Sequence, residues 1–182
     1  MSVVKHEKVI VLGKSGSGKD FLMRKLIEKG LRPCLKTTTR PKRKFEHQGT
    51  TYDFISNFDF TKLIKENKLF AYQEFIVTPE NSEPENWYYG ITKEEFDNGQ
   101  VFIMTPSEFT NISDENRKKC FVIYLDIDRS VRESRLMKRE DKNDSVRRRM
   151  DSDEVDFTGF SGYDLKITDP EFTADEVYDL MF

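Results

Sequence analysis

The strongest fold signal in the chain is the stretch Val9-Ile10-Val11-Leu12-Gly13-Lys14-Ser15-Gly16-Ser17-Gly18-Lys19-Asp20. Four apolar residues lead into the pattern G-x-x-x-x-G-K, and apolar residues at helical spacing follow. This order predicts a buried parallel strand, a turn whose glycines let backbone N–H groups surround an anion, and a helix whose positive N-terminal end lies beside it. The stretch therefore predicts a phosphate-binding loop. Its predicted ATP-binding residues are Gly13, Lys14, Ser15, Gly16, Ser17, Gly18, Lys19 and Asp20.

Two side chains of this loop have predicted chemical roles. Lys19 can bridge the outer phosphates of a nucleoside triphosphate. The residue after it is Asp20, where the usual pattern has a Ser or Thr whose hydroxyl binds Mg²⁺. A carboxylate also suits Mg²⁺, which proteins hold through one or two carboxylates and waters. Asp20 is therefore a candidate metal ligand, and the same carboxylate also favours the helix N-terminus.

The composition excludes several classes of protein. The 182 residues suit one medium domain, and with 35% charged residues the net charge is only −3. No polybasic tail, apolar run of membrane-helix length or signal peptide is present in the sequence. Cys34 and Cys120 lack the spacing of a zinc site or redox motif. We expect a cytoplasmic protein that binds neither nucleic acid nor membrane, as a monomer or a homodimer.

Apolar runs and capping residues predict strands that alternate with helices. Strand candidates are residues 9–12, 31–36, 52–55, 70–77, 101–104, 121–125 and 165–167. Helices are predicted after Lys19, around residues 58–64, and after Thr92, Pro106, Asp128 and Thr173. Residues 37–49 and 78–87 are predicted as loops. The alternation predicts an α/β fold with a parallel core sheet covered by helices on both faces.

A second set of phosphate-binding side chains follows the first predicted helix. The run Thr37-Thr38-Thr39-Arg40-Pro41-Lys42-Arg43 offers two guanidinium groups for bidentate contact with a phosphate. With Gly49-Thr50-Thr51-Tyr52-Asp53-Phe54 and Tyr88-Tyr89-Gly90, it resembles the T-T-R-x-P-R, G-x-x-Y-x-F and Y-Y-G blocks of the guanylate kinase family. The later runs 130–139 and 163–167 resemble the family's arginine-rich lid entry and its Y-D-x-x-I pattern. The resemblance covers nearly the whole chain.

The resemblance implies a P-loop kinase fold and a reaction. It implies a parallel core sheet flanked by helices, plus a small region that binds the nucleoside monophosphate (NMP) and a lid. The expected single domain spans residues 1–182, with a core at about 1–35 and 92–182, an NMP-binding region at about 36–91 and a lid at about 139–151. The implied reaction passes the γ-phosphoryl group of ATP to an NMP, with Mg²⁺.

The resemblance also implies roles for individual residues. The residues that would grip the acceptor phosphate are Arg40, Arg43, Tyr52 and Tyr89. The residues that would act on the transferring group are Lys19, Arg135, Arg139 and Arg149. Catalysis in such enzymes is mostly alignment and charge neutralisation, because the attacking phosphate oxygen needs little activation.

The sequence departs from the family where the family reads guanine. The family's base-reading Glu and Ser align with Ala71 and Ile91, and its acidic strand end aligns with residues 103–107, which carry no acid. Glu74, Thr92 or the acidic loop 78–87 could supply other base contacts. The acceptor is therefore GMP, dGMP or another nucleotide.

Two alternatives to this kinase remain open from the sequence alone. One is a catalytically inactive guanylate kinase-like module that binds phosphorylated peptides, which the missing base readers would suit. The other is a P-loop kinase for a different phosphorylated small molecule.

Overall fold

The computed structural model describes residues 6–42, 44, 46–49, 52–77, 83–138 and 146–181. Its elements are β1 Lys8–Gly13, α1 Lys19–Glu28, β2 Thr37–Thr38, β3 Asp53–Phe54, α2 Asn57–Lys65, β4 Leu69–Val77, β5 Glu85–Thr92, α3 Lys93–Asn98, β6 Val101–Ile103, α4 Pro106–Phe109, α5 Asp114–Lys118, β7 Cys120–Leu125, α6 Arg129–Met137, α7 Val146–Asp156, β8 Leu165–Ile167 and α8 Ala174–Met181. They form two compact units, one comprising Met1–Pro33 and Gln100–Phe182 and the other Cys34–Gly99.

The first unit is built on a four-stranded parallel sheet in the order β6-β1-β7-β8. Strand β1 is buried along its whole length, as its unbroken apolar sequence predicts. Leu22 and Leu26, one helical turn apart on α1, are fully buried in the same core, and Val177 and Met181 do the same from α8. Burial of each such side chain contributes about 1.5–3 kcal/mol. The predicted α/β class with a parallel sheet flanked by helices is confirmed.

The second unit is built on a mixed sheet in the order β3-β2-β5-β4. Strands β2 and β3 are parallel, whereas β5 runs antiparallel to both β2 and β4. Phe60 of α2 lies fully buried against this sheet, with its ring stacked on Tyr88 at 5.1 Å. A Cβ atom at Gly90 would stand 2.9 Å from the Phe60 ring, so this close approach requires glycine.

Most predicted elements are confirmed, and three predictions are wrong. Residues 31–36 form no strand, because their only sheet pairing is a single bridge from Pro33 to Val101. Thr37 and Thr38, predicted as loop, form β2. Residues 85–87, also predicted as loop, begin β5, since Trp87 pairs with Phe75 across the hairpin. Residues 78–82 of that predicted loop lie outside the described residues.

Two helices, α5 and α7, were not predicted, because their sequences are highly charged and lack an apolar period. On α7 the only buried residue is Met150. The predicted lid at about 139–151 includes residues 139–145, which lie outside the described part of the chain. Within the ranges that the structure describes, no helix combines the length and the apolar character needed to cross a membrane.

Candidate active site

The loop between β1 and α1 has the backbone geometry of a phosphate-binding loop. Gly16 and Gly18 have φ values of 78° and 103°, a region that residues with a Cβ rarely adopt. A Cβ atom at Gly16 would also stand 2.7 Å from the carbonyl oxygen of Arg132. The loop is therefore closely packed. Helix α1 begins directly after it, so the first amides of α1 and the positive end of the helix dipole lie at the loop.

Lys19 and Asp20 lie at the start of α1 as predicted from the sequence. The Lys19 ammonium donates hydrogen bonds to the carbonyl oxygens of Gly13 at 2.6 Å and Lys14 at 3.1 Å, which holds its charge at the loop. Asp20 is exposed in the first helical turn. Among the residues that the structure describes, no group of three or more His, Cys, Asp or Glu side chains is placed to hold a metal. A single carboxylate that acts together with substrate phosphates and waters still fits Mg²⁺.

A buried arginine that the sequence analysis did not identify forms hydrogen bonds to the loop. Arg132 of α6 is 1% exposed, and its guanidinium donates to the carbonyl of Ile127 at 2.9 Å and to that of Ser15 at 3.4 Å. Its third partner is Glu154 at 2.9 Å, which also pairs with Lys14. The Lys14 ammonium, and after it Arg132, hold the pKa of Glu154 below its ordinary value despite partial burial.

Helix α7 brings a second carboxylate to the loop. Oδ2 of Asp153 accepts a hydrogen bond from the backbone amide of Ser15 at 2.6 Å. The loop amides are the groups that bind phosphate in this type of loop, so Asp153 holds one of them with a carboxylate. The sequence carried no signal for this contact, because the two residues are 138 positions apart.

The predicted catalytic arginines have different outcomes. Arg135 lies at the loop, where its NH1 group approaches the carbonyls of Gly16 at 3.3 Å and Ser17 at 3.4 Å, while NH2 donates to Pro170 at 2.9 Å. Arg149 is half-buried on α7, the helix that carries Asp153. Arg139 lies outside the described residues.

The carboxyl end of β7 adds an acid beside the loop. Gly13 pairs with Leu125 across the sheet, so Asp126 follows directly at the same edge. Its carboxylate binds the Lys166 ammonium at 2.7 Å and accepts from the Tyr124 hydroxyl at 3.2 Å. Burial alone would raise the pKa of Asp126, but these two partners lower it. Its position directly after a buried strand was the signal that could have identified it.

In the second unit, the structure brings together three of the predicted acceptor residues. The guanidinium carbon of Arg40 lies 5.6 Å from the centre of the Tyr52 ring, and the Tyr52 and Tyr89 rings are 6.1 Å apart. Arg40 is 5% exposed and donates to Glu46 at 2.7 Å and to the carbonyl of Pro41 at 2.8 Å. Burial would lower the pKa of Arg40, but Glu46 raises it above its ordinary value. Arg43 lies outside the described residues.

The remaining predicted substrate residues, Glu74 and Thr92, do not join Tyr52 and Tyr89. Glu74 accepts a hydrogen bond from the hydroxyl of Tyr88 at 2.9 Å, on the sheet face that α2 covers. This contact raises the pKa of Tyr88. The Thr92 hydroxyl accepts a hydrogen bond from the Glu95 amide, so Thr92 is the N-cap of α3. The Glu95 carboxylate in turn accepts a hydrogen bond from the Leu35 amide at 2.8 Å.

Comparison with known proteins agrees with the phosphate-binding geometry of the loop. The profile of the guanylate kinase family matches residues 5–175 of the chain. The chain belongs to the guanylate kinase family. It is therefore a nucleoside monophosphate kinase, a phosphotransferase that binds nucleotides.

Individual relatives are similar over most of their length. The guanylate kinase of Rickettsia prowazekii (strain Madrid E) is 26% identical over 168 residues, which span 91% of this chain and 84% of the relative. That of Mycoplasmoides gallisepticum is 29% identical over 150 residues, or 76% of this chain and 71% of the relative. A crystal structure of guanylate kinase from Anaplasma phagocytophilum has a TM-score of 0.67 at 18% identity and covers 97% of this chain and 85% of that one. At 18% identity, this structural similarity supports the fold alone.

Proposed function

We propose that this kinase transfers the γ-phosphoryl group of ATP to a nucleoside monophosphate and releases ADP and a nucleoside diphosphate. The observation that supports it most strongly is the loop from Gly13 to Lys19, with its two left-handed glycines and its inward lysine. An oxygen of the acceptor phosphate forms the new bond to the γ-phosphorus while the bond to the β-phosphate oxygen breaks.

The donor phosphates bind the loop amides and Lys19 in this proposal. Arg135 already lies beside the loop carbonyls and adds a second positive charge, which compensates the negative charge that spreads over the transferring group. Arg139 and Arg149 act with it. Bound Mg²⁺ would supply positive charge to the donor phosphates, and Asp20 is the carboxylate that would hold it, directly or through a water.

The acceptor phosphate binds Arg40, Arg43, Tyr52 and Tyr89 in this proposal. Support comes from the burial of Arg40 beside two tyrosine rings, since a buried guanidinium makes strong charge-assisted bonds to a dianion. The relatives are named guanylate kinases, so GMP is the first acceptor to test. We propose further that the protein acts in the cytoplasm, as a monomer or a homodimer, with ATP and an NMP as its ligands.

The inactive phosphopeptide-binding module is not favoured. Such a module needs only an acceptor phosphate site, whereas this chain also has a loop with the backbone geometry of a phosphate-binding loop, where Lys19 donates to the carbonyls of Gly13 and Lys14.

The experiment is a coupled assay of ADP release with ATP, Mg²⁺ and each common NMP and dNMP. Lys19→Ala should lower kcat on the order of 10²-fold or more, because one preorganised charge at the transferring group is lost. Lys25→Ala is the matched control, since Lys25 lies on the same helix and pairs with Glu28 at the surface. Circular dichroism checks that both variants fold. The proposal would be overturned if the wild-type protein phosphorylated none of these nucleotides, or if a folded Lys19→Ala variant kept near-normal turnover.

A further inference from the structure

The two faces of the β4–β5 hairpin carry different side chains. Successive residues of a strand point to opposite faces, and residues directly paired across strands share a face. Tyr88 and Tyr72 contact Phe60 of α2, so they and Glu74, which binds Tyr88, belong to the helix-covered face. Tyr89 points to the opposite face, which we call the tyrosine face.

Gln73 lies on the tyrosine face. It pairs directly with Tyr89, and Tyr89 in turn pairs with Thr38 of β2, which pairs with Phe54 of β3. Phe75, the next residue of β4 on this face, meets Tyr89 edge to face with ring centres 5.6 Å apart. The Gln73 side chain therefore stands in one row with the residues that surround Arg40.

The Gln73 carboxamide is available to a ligand. The Gln73 side chain is partly buried, and no residue within the described part of the chain makes a hydrogen bond to its carboxamide. A carboxamide offers one acceptor oxygen and two N–H donors. Its neighbours on the tyrosine face, Ala71 and Ile91, are buried and have no polar side-chain atoms. Gln73 is thus the one side chain of β4 on this face that can form hydrogen bonds to a base.

We propose, on the basis of the function proposed above, that Gln73 contacts the base of the acceptor nucleotide and makes the site accept more than one base. A carboxylate only accepts hydrogen bonds, so it favours the two adjacent donors of guanine, N1–H and N2–H₂. A carboxamide matches one donor beside one acceptor and can turn over to exchange them. The Watson–Crick edge of each common base presents such a pair, so Gln73 contributes affinity with little discrimination.

The test compares kcat/KM for GMP, dGMP, AMP, dTMP, dUMP and dCMP in the wild-type protein and four variants. Gln73→Leu keeps the side-chain volume and removes the hydrogen bonds, and Gln73→Glu removes the donors. Tyr72→Phe is the matched control from the helix-covered face of the same strand. Glu74→Gln tests the competing assignment of base recognition to Glu74. Circular dichroism and thermal unfolding of each variant check its fold.

The wild-type protein should use at least two bases with kcat/KM values within about tenfold of each other. Gln73→Leu should raise the acceptor KM about tenfold for every base used and leave the KM for ATP unchanged. Gln73→Glu should shift the ratio of guanine to thymine substrates about tenfold or more towards guanine. Tyr72→Phe and Glu74→Gln should leave the order of bases unchanged.

The outcomes separate this inference from the function on which it rests. If the wild-type protein phosphorylates no NMP, the proposed function fails and the inference fails with it. If the wild-type protein is active but folded Gln73 variants keep its base preference and acceptor KM, the inference alone is overturned. A wild-type preference for guanine of several orders of magnitude, or a changed base order in Glu74→Gln, would overturn it as well.

Discussion

Oδ2 of Asp153 lies 2.6 Å from the backbone nitrogen of Ser15, so a carboxylate of α7 holds an amide of the phosphate-binding loop. The adjacent Glu154 pairs with Lys14 of the same loop. Anionic oxygens of the protein thus bind one amide N–H group and one ammonium group of the loop. Phosphate oxygens of a nucleotide are bound by the same kinds of group, so we expect a bound nucleotide to compete with Asp153 and Glu154 for them.

Asp153→Asn should lower the KM for ATP several-fold, because a neutral amide competes less well than a carboxylate for the Ser15 N–H group. The same change should reduce the free energy of unfolding by about 1–2 kcal/mol, since the hydrogen bond to a charged acceptor weakens. Initial rates across an ATP titration and urea unfolding measure the two effects. Asp151→Asn, which removes the exposed ion pairs with Arg129 and Arg147 and no contact with the loop, is the control. An unchanged or higher KM for ATP in Asp153→Asn would show that the contact does not compete with nucleotide.

The ion pairs of Glu154 predict a loss of stability in acid. Its pKa in the folded protein lies below the ordinary value of 4.5, chiefly because of Lys14, so its carboxylate stabilises the fold above the unfolded pKa. That contribution should disappear as the pH falls from about 4.5 through the lower folded pKa. Urea unfolding between pH 7 and pH 3 measures it. Glu154→Gln should unfold more easily at pH 7 and lose less stability on acidification; identical pH profiles would contradict the assignment.

Arg40→Ala should raise the KM for the acceptor nucleotide much more than the KM for ATP, by on the order of 10²-fold or more, because the lost guanidinium is buried and charge-assisted bonds are strong. Titrations of each substrate at saturation with the other separate the two constants. Lys62→Ala, at an exposed position on α2 in the same unit, is the control. Equal weakening of both substrates would place Arg40 outside the acceptor site. Thermal unfolding is needed alongside, because the variant also leaves Glu46 without its Arg40 partner.

Asp20→Asn should raise the Mg²⁺ concentration needed for half-maximal activity several-fold, with a smaller change in the KM for ATP, because an amide is a weaker ligand than a carboxylate. Activity across a Mg²⁺ titration at fixed ATP is the measurement. Glu28→Gln at the opposite end of α1 is the control, since it changes a carboxylate far from the loop. A Mg²⁺ titration identical to that of the wild-type protein would leave Asp20 with the role of a helix-end residue.

The sequence predicted the phosphate-binding loop because the signal is local. Its strand, glycines and helix follow one another within residues 9–28, and each residue type restricts the conformation of its own segment. Arg132 and Asp153 escaped prediction for the opposite reason. They reach Ser15 from positions 117 and 138 residues away, and no periodic pattern in α6 or α7 indicates which side chains meet the loop.

Glu74 and Gln73 show that the sequence does not determine which face of the sheet a side chain occupies. From the sequence, Glu74 was one of the candidate base contacts, but the face that each side chain occupies depends on strand register. A register shift between Leu69 and Ala71 interrupts β4, and the pairing beyond it puts Gln73, not Glu74, opposite Tyr89. A one-residue difference in register exchanges the two faces, and the sequence alone does not determine it.

The division of the second unit among its strands has an evolutionary consequence. Tyr52 precedes β3, Arg40 follows β2 and Tyr89 lies on β5, whereas Gln73 lies on β4 at the edge of the sheet. With Gln73 at the base as proposed, a substitution at this edge position would change the base contact and leave Arg40 and Tyr52 in place. A lineage could then exchange one acceptor nucleotide for another by small steps, each of which would leave the proposed phosphate contacts intact.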